Sequence, residues 1–264
     1  MKNTLKETPL QITKDIDFNK EYFVEERYNG YFYDLIGYFR IMTVSNAIAE
    51  MKQNLLNRFH FQDLYKDVSF ETFDSVGNEV LVNKLKKITE NGFKSGDKSI
   101  SLVLWSKNIY GVGKTHLLYA MIKKYLVDDN NFKVSWVSEN RVKVSYEALK
   151  VGIFTEYELL NKIKDAFKPD SEFSEGDVFE GFKKYGILCV DDLAKYTPSN
   201  LDFYQRVMFQ LIDERCSSQK TLIMTTNKTP DALTEVLGYA SADRLNDMTK
   251  NYRFEFKGQS HRGK

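Results

Sequence analysis

Apolar positions follow two different rhythms along the chain, and the change between them divides it. Over the first sixty-odd residues aromatic side chains crowd together, with Tyr22, Phe23, Tyr28, Tyr31, Phe32, Tyr33, Tyr38 and Phe39 in one short interval. A helix is predicted next, from about 44 to 59, because Ile48, Met51, Leu55 and Phe59 recur near helical spacing. A second unit begins around Asp67 with Val68-Ser69-Phe70, followed by a helical stretch over 79–88. The polar, glycine-punctuated run 89–98 reads as a surface loop. Beyond it short apolar runs alternate with amphipathic segments. Residues 101–105, 134–137, 187–190 and 221–225 are strand candidates, and 115–126, 156–167 and 203–215 are helix candidates. This alternation predicts an α/β fold whose parallel sheet is covered by helices on both faces. The expected organisation is an α/β domain over 67–264, preceded by a small, aromatic-rich, mainly helical N-terminal region over 1–66.

The sharpest local feature stands between the first strand of that domain and its first helix. The run Ser106-Lys107-Asn108-Ile109-Tyr110-Gly111-Val112-Gly113-Lys114-Thr115 fits the phosphate-loop pattern G-x-x-x-x-G-K-S/T, except that Asn108 holds the first glycine position. Asn is among the residues that best tolerate positive φ, so the backbone turn survives the exchange. Gly111 and Gly113, with Val112 between them, let consecutive N–H groups close around phosphate oxygens. The dipole of the helix opening at Lys114, Thr115 and His116 adds favourable potential. Lys114 reaches the β and γ phosphates as a point charge, and Thr115 offers its hydroxyl to Mg²⁺. The plainer alternative is a glycine-rich strand-to-helix turn with a solvated lysine.

A phosphate loop needs an acidic partner at the tip of a neighbouring strand to hold magnesium. The run Ile187-Leu188-Cys189-Val190-Asp191-Asp192-Leu193 supplies one, and two aspartates ending a buried strand are costly without a cation nearby. Asp191 is expected to hold the metal, and Asp192 to face the attacking water as base or orienting group. A helix N-cap is the competing role for such an Asp. The next strand ends at Asn227, whose amide can bridge the γ-phosphate and the nucleophilic water by geometry rather than charge. A turn-forming Asn ahead of Pro230 is the bland alternative.

Four segments together carry a resemblance: Gly111 to Leu118, Ile187 to Leu193, Phe209-Gln210-Leu211-Ile212-Asp213-Glu214-Arg215 and Thr225-Thr226-Asn227. They resemble the AAA+ ATPases of the bacterial DnaC/DnaI helicase-loader and IstB group. Leu237 to Leu245 and the closing Phe256 to Arg262 match the same group, so the resemblance runs from about Asp67 onward. It implies that Lys114 and Thr115 form Walker A and that Asp191 and Asp192 form Walker B, where this group commonly carries Asp-Asp in place of Asp-Glu. It places Asn227 on sensor 1 and Arg244 on the arginine finger that reaches a neighbouring subunit's nucleotide. Arg262 falls on the sensor-2 arginine of a Ser-Tyr-Arg motif whose middle residue is His261 here, with Arg253 a weaker competitor. A solvated surface arginine is the ordinary reading of each.

Composition narrows the partners. Among 264 residues, 38 Lys and Arg stand against 37 Asp and Glu, and the resulting charge of +1 excludes a nucleic-acid coat held by bulk electrostatics. The two cysteines, Cys189 and Cys216, have no C-x-x-C spacing, so neither a zinc head nor a disulfide framework is expected. No apolar run reaches the ~18 residues of a membrane span, and the charge-mixed N-terminus lacks a secretory core. A cytoplasmic location is expected. The chain stops at Lys264, directly after the Arg262 motif, so the duplex-reading helix-turn-helix of chromosomal initiators is expected to be missing. The N-terminal aromatics are a partner surface, a base-stacking platform or simply core. The stretch 141–150, with Arg141, Lys143 and Lys150 around Tyr146, is the candidate single-strand contact, against a solvated insertion. The resemblance implies an ATP- and Mg²⁺-dependent loader that self-assembles on ATP, engages a replicative ring helicase and grips single-stranded DNA. The alternatives are an IstB-like ATPase serving a transposase, and an ATP-gated adaptor that scarcely hydrolyses because Asp192 is one methylene shorter than Glu.

Overall fold

The computed structural model describes residues 16–28, 40–59, 61, 63–168, 170–195 and 198–260. Strands β1 (Glu21–Tyr28) and β2 (Arg40–Thr43) precede helices α1 (Val44–Arg58) and α2 (Glu79–Glu90). The two-residue strands β3 (Lys94–Ser95) and β4 (Lys98–Ser99) form a small hairpin in the expected loop, and β5 (Leu102–Trp105) leads into α3 (Lys114–Leu126). Then come β6 (Phe132–Ser138), β7 (Arg141–Tyr146), β8 (Val151–Thr155), α4 (Glu156–Asp165), α5 (Glu175–Lys183) and β9 (Ile187–Leu193). Helix α6 (Leu201–Ser217), β10 (Thr221–Thr226), α7 (Pro230–Leu237), α8 (Tyr239–Thr249) and β11 (Arg253–Glu255) complete the order. The chain forms two compact units, one of residues 1–66 and 123–148 and the other of 67–122 and 149–264. A break falls at 66/67, but residues 123–148 leave the second stretch and join the first.

Strand pairing is the reason. In the first unit the sheet order is β2-β1-β7-β6. Strand β1 runs antiparallel to β2 and parallel to β7, and β6 folds back on β7 as an antiparallel partner. Tyr22, Val24 and Tyr28 of β1, Val142, Val144 and Tyr146 of β7, and Phe132 and Val134 of β6 form a core with Val44, Ala47, Met51 and Leu55 of α1. Each of the larger aliphatic and phenylalanine side chains contributes about 1.5–3 kcal/mol by burial. Thr43 starts α1 by accepting the Asn46 N–H at 3.1 Å. Two sequence expectations are corrected here. The strand over 134–137 belongs to this mixed sheet and not to the parallel one. The stretch 141–150 is no solvated insertion, because its first six residues are β7. Tyr146 is fully buried there, with its hydroxyl donating to the Leu126 carbonyl at 2.9 Å. Of the N-terminal aromatics, Tyr22 and Tyr28 are core and Phe23 is exposed, whereas Tyr31, Phe32, Tyr33, Tyr38 and Phe39 lie outside the described residues.

The second unit holds a five-stranded sheet in the order β11-β5-β10-β9-β8, parallel at every pairing. Strands β5, β9 and β10 are nearly continuous apolar runs because a parallel sheet is buried on both faces. Arg215 of α6 fixes where two of them begin. Its guanidinium, buried in the unit, donates to the carbonyls of Tyr185 at 2.6 Å, Gly186 at 2.8 Å and Thr221 at 2.5 Å. Parallel strands place their carboxyl ends on one edge of the sheet, so the loops after β5, β10 and β9 emerge side by side. In open α/β sheets that edge is where ligands bind.

Candidate nucleotide site

The loop after β5 begins zipped to β10. The Ser106 N–H donates to the Thr226 carbonyl at 3.3 Å, and the Asn108 N–H to the Asn227 carbonyl at 3.0 Å. The loop then turns through three left-handed residues, Asn108 (φ 55°), Gly111 (φ 75°) and Gly113 (φ 88°). The first of these is the position where Asn replaces glycine in the motif. Gly113 is fixed twice over, since a Cβ there would also come within 2.2 Å of Phe73 Cε2. Val112 between the two glycines is buried.

At the start of α3, Lys114 turns back under the loop. Its Nζ donates to Ser106 Oγ at 2.7 Å and to Asn227 Oδ1 at 2.6 Å, although the residue is only 5% exposed. Thr115 Oγ1 lies 3.0 Å from both carboxylate oxygens of Asp191, and Thr225 Oγ1 donates to the same carboxylate. Burial pushes the Asp191 carboxyl above its usual range, while the Thr225 and Thr115 hydroxyls pull it back. A hydroxyl beside a buried carboxylate is the hard-oxygen donor set that suits Mg²⁺. The glycine-lined turn with a lysine at its base suits a polyphosphate. The residues therefore fit both groups, and Thr115 with Asp191 and Lys114 with the loop N–H groups would hold them.

Behind the carboxylates the chain makes a second strained turn. Asp192 (φ 59°) and Ala194 (φ 55°) both take left-handed backbone, a conformation costing a non-glycine residue about 1–2 kcal/mol. The Asp192 N–H donates to Thr225 Oγ1 at 3.0 Å, and its carboxylate pairs with Lys195 Nζ at 2.7 Å. Glu156, at the start of α4, holds the turn from the other side. Its Oε1 accepts the Ala194 N–H at 2.8 Å and the Tyr204 hydroxyl at 2.5 Å. Burial raises its carboxyl, and the Asp192 charge adds to the rise.

Sequence reading missed the segment before α2. His116 Nε2 lies 2.9 Å from the Ser69 carbonyl and 3.3 Å from Thr72 Oγ1, and the Phe73 ring meets the His116 ring edge-on at 5.4 Å. No local spacing links these residues to the loop, because the fold alone brings them there. Asn78 adds a reciprocal amide clamp on the Lys257 backbone, at 2.9 and 3.1 Å. Arg244 stands apart from the Lys114–Asn227 cluster. It sits on α8, with Nε 2.7 Å from Asp213 Oδ1 and its guanidinium 5.5 Å from the centre of the Phe209 ring. Arg253 of β11 donates to Thr249 Oγ1 at 3.0 Å and to Asn246. Arg262 lies outside the described residues.

Comparison with known proteins bears on the family and the fold. Residues 64–246 match the family model of the bacterial DnaA ATPase domain. The replicative helicase loader DnaC of Escherichia coli K12 is 26% identical over 198 residues, which is 75% of this chain and 70% of that protein. A crystal structure of the DnaC helicase loader aligns with a TM-score of 0.57 at 18% identity, over 74% of this chain and 99% of that one. AMPPCP-bound DnaA from Aquifex aeolicus aligns at 0.52 with 16% identity, over 75% of this chain and 51% of that one. At such identities the structures speak for the fold, an AAA+ arrangement of parallel strands and helices. With most of its length on one family model, the chain belongs to the bacterial DnaA ATPase-domain family, on the AAA+ helicase-loader side that its motifs resemble.

Proposed function

We propose that this chain is an ATP-dependent loader of a replicative DNA helicase. The observation that carries the reading is the meeting of Lys114, Asn227, Thr115 and Asp191 at the carboxyl ends of three adjacent parallel strands. Similarity to a helicase loader adds the cellular task to that chemistry. In this reading the loop N–H groups and Lys114 bind the β and γ phosphates, and Thr115 and Asp191 hold the cation. Asn227 and Asp192 orient the attacking water. Mg²⁺, when bound, neutralises charge on the phosphate oxygens. Arg244 acts on the nucleotide of a neighbouring copy, so hydrolysis depends on assembly, and Arg262 serves its own subunit's nucleotide. The first unit engages a ring helicase, and the assembled copies grip single-stranded DNA.

Two experiments test the reading. Lys114→Ala should abolish ATP binding, and unchanged affinity in a filter or calorimetric assay would remove the site assignment. Affinity capture from the native host should bring down a ring helicase; recovery of a transposase would move the chain to the transposition-helper class. One observation favours a second reading. Asp192 is short and is engaged by Lys195, which suits an ATP-gated adaptor with little turnover. Phosphate release with single-stranded DNA and helicase present separates the two, since the adaptor releases essentially none.

A further inference from the structure

Arg244 is held in a way that its burial does not require. Helices α6 and α8 pack on each other, and Leu211 and Leu245 lie in the core of the second unit. That contact fixes the backbone of α8 without help from charges. Phe209 and Asp213, four residues apart, share one face of α6. The Arg244 side chain reaches that face, with its guanidinium carbon 5.5 Å from the centre of the Phe209 ring and its Nε 2.7 Å from Asp213 Oδ1. All three are part-exposed, with the Arg244 side chain at 43% and Asp213 at 38%. An ion pair this open to water adds little to stability. What it does is restrict direction. Held in a notch between a carboxylate and a ring, the guanidinium samples fewer orientations than a free arginine, and its Nη fork is the part that recognises phosphate. Among the described residues Asp213 is the carboxylate paired with Arg244.

We infer that Asp213 and Phe209 are positioning residues for Arg244, holding its guanidinium pre-aimed at the nucleotide of a second copy of this chain. The inference rests on the reading of Arg244 as an arginine acting in trans. An unrestrained arginine would have to be ordered at each encounter with the neighbouring phosphate. The notch orders it in advance, so the loss falls on turnover and not on nucleotide binding.

Mixed assemblies test this. Arg244→Ala subunits keep a nucleotide site but lack the arginine, whereas Asp192→Asn subunits keep the arginine but lack the water-orienting carboxylate. Each alone should be nearly inactive, and their mixture should regain turnover. Adding Asp213→Asn to the Asp192→Asn donor should cut the regained turnover roughly ten- to a hundredfold. Asp213→Glu, which keeps a carboxylate, should retain most of it, and Phe209→Leu should give an intermediate loss. Thermal midpoints and co-sedimentation with the Arg244→Ala partner should stay unchanged. A donor carrying Asp213→Asn that works as well as its parent overturns the proposal. So does lost co-sedimentation, which would make Asp213 an interface residue. If the parent mixture regains no turnover at all, the trans-arginine reading itself fails and takes this inference with it.

Discussion

Replacing Tyr204 by phenylalanine deletes a single oxygen at a position where the ring is 2% exposed, so the cavity left is small. What goes is the hydroxyl that donates to Glu156, leaving that carboxyl with the backbone N–H groups of Ala194, at 2.8 Å, and Lys195. Losing a hydrogen bond to an ionised acceptor costs ~1.5–3 kcal/mol, against about 1 kcal/mol for a neutral one. In a chain of this size each kcal/mol moves the midpoint by about 2–4 °C. The expected fall in Tm is therefore roughly 3–12 °C with Glu156 ionised and about 2–4 °C with it protonated. The pH dependence tells these apart. Burial, followed by the Asp192 charge, raises the Glu156 carboxyl above its ordinary 4.5. Between 4.5 and the raised value the folded state holds the proton more often than the unfolded state. Stability from this group is thus greatest at low pH and declines as pH rises through that window. Glu156→Gln keeps an acceptor for Ala194 and should remove the decline. Thermal unfolding of the wild type and both variants, from mildly acid to neutral pH, provides the measurement. Because the turn holds Asp192 and Ala194 in strained backbone, both variants should also lower ATP turnover while leaving nucleotide affinity intact. A wild type and Glu156→Gln with identical pH profiles, or a Tyr204→Phe with an unchanged midpoint, would refute the reasoning.

Three further outcomes follow from the geometry. Gly113→Ala should weaken ATP-analogue binding severely and cost at least ~1–2 kcal/mol of stability, since the new methyl meets Phe73 at 2.2 Å in left-handed backbone; Phe73→Leu in the same chain should restore part of the loss, as read by binding calorimetry. Asn108→Gly should leave binding and Tm nearly unchanged, because φ there is already 55°; a tenfold loss of affinity would mean that the Asn side chain itself contributes. Arg215→Leu should destabilise the chain by several kcal/mol in urea unfolding, at about 1–3 kcal/mol for each buried carbonyl left without its donor.

The parts of the fold legible in the sequence are those whose burial is uniform. Strands β5, β9 and β10 stand out as apolar runs because both faces are covered, and the chemistry sits at their tips, where Asp191 and Asn227 break the runs. Helix α3 was equally plain, since Leu117, Met121 and their neighbours repeat at helical spacing and are all buried. Strand β7 was harder to see for a physical reason. Its Arg-Val-Lys-Val-Ser-Tyr alternation is that of a half-buried strand, but Arg141 and Lys143 also give it the charge of a ligand contact. Its partner β1 is also more than a hundred positions away in the sequence. Edge strand β8 was hidden by Gly152, where a Cβ would come within 2.9 Å of the Tyr185 ring. Helix α5 is marked in the sequence only by the Ser174 and Asp177 capping box. Within the site, motif spacing could find Lys114, Thr115 and the aspartates. It could not find Phe73, Glu156 or Asp213, which reach their partners only through tertiary packing.

The place of β11 has a consequence for how the protein is made. Strand β5, which delivers the phosphate loop, needs two neighbours in the sheet, and one of them is residues 253–255. The Asn78 clamp on Lys257 likewise joins positions separated by 179 residues. A ribosome adding ~5–20 residues per second finishes β5 and the candidate phosphate loop several seconds before β11 exists. During that interval the nascent chain displays a phosphate loop on a strand with an unpaired edge, the form most open to intermolecular pairing. Strand β5 gains its second neighbour only when β11 arrives, and β11 then becomes the edge of the open sheet. Newly synthesised chains should therefore acquire nucleotide affinity late and abruptly, as β5 becomes an interior strand.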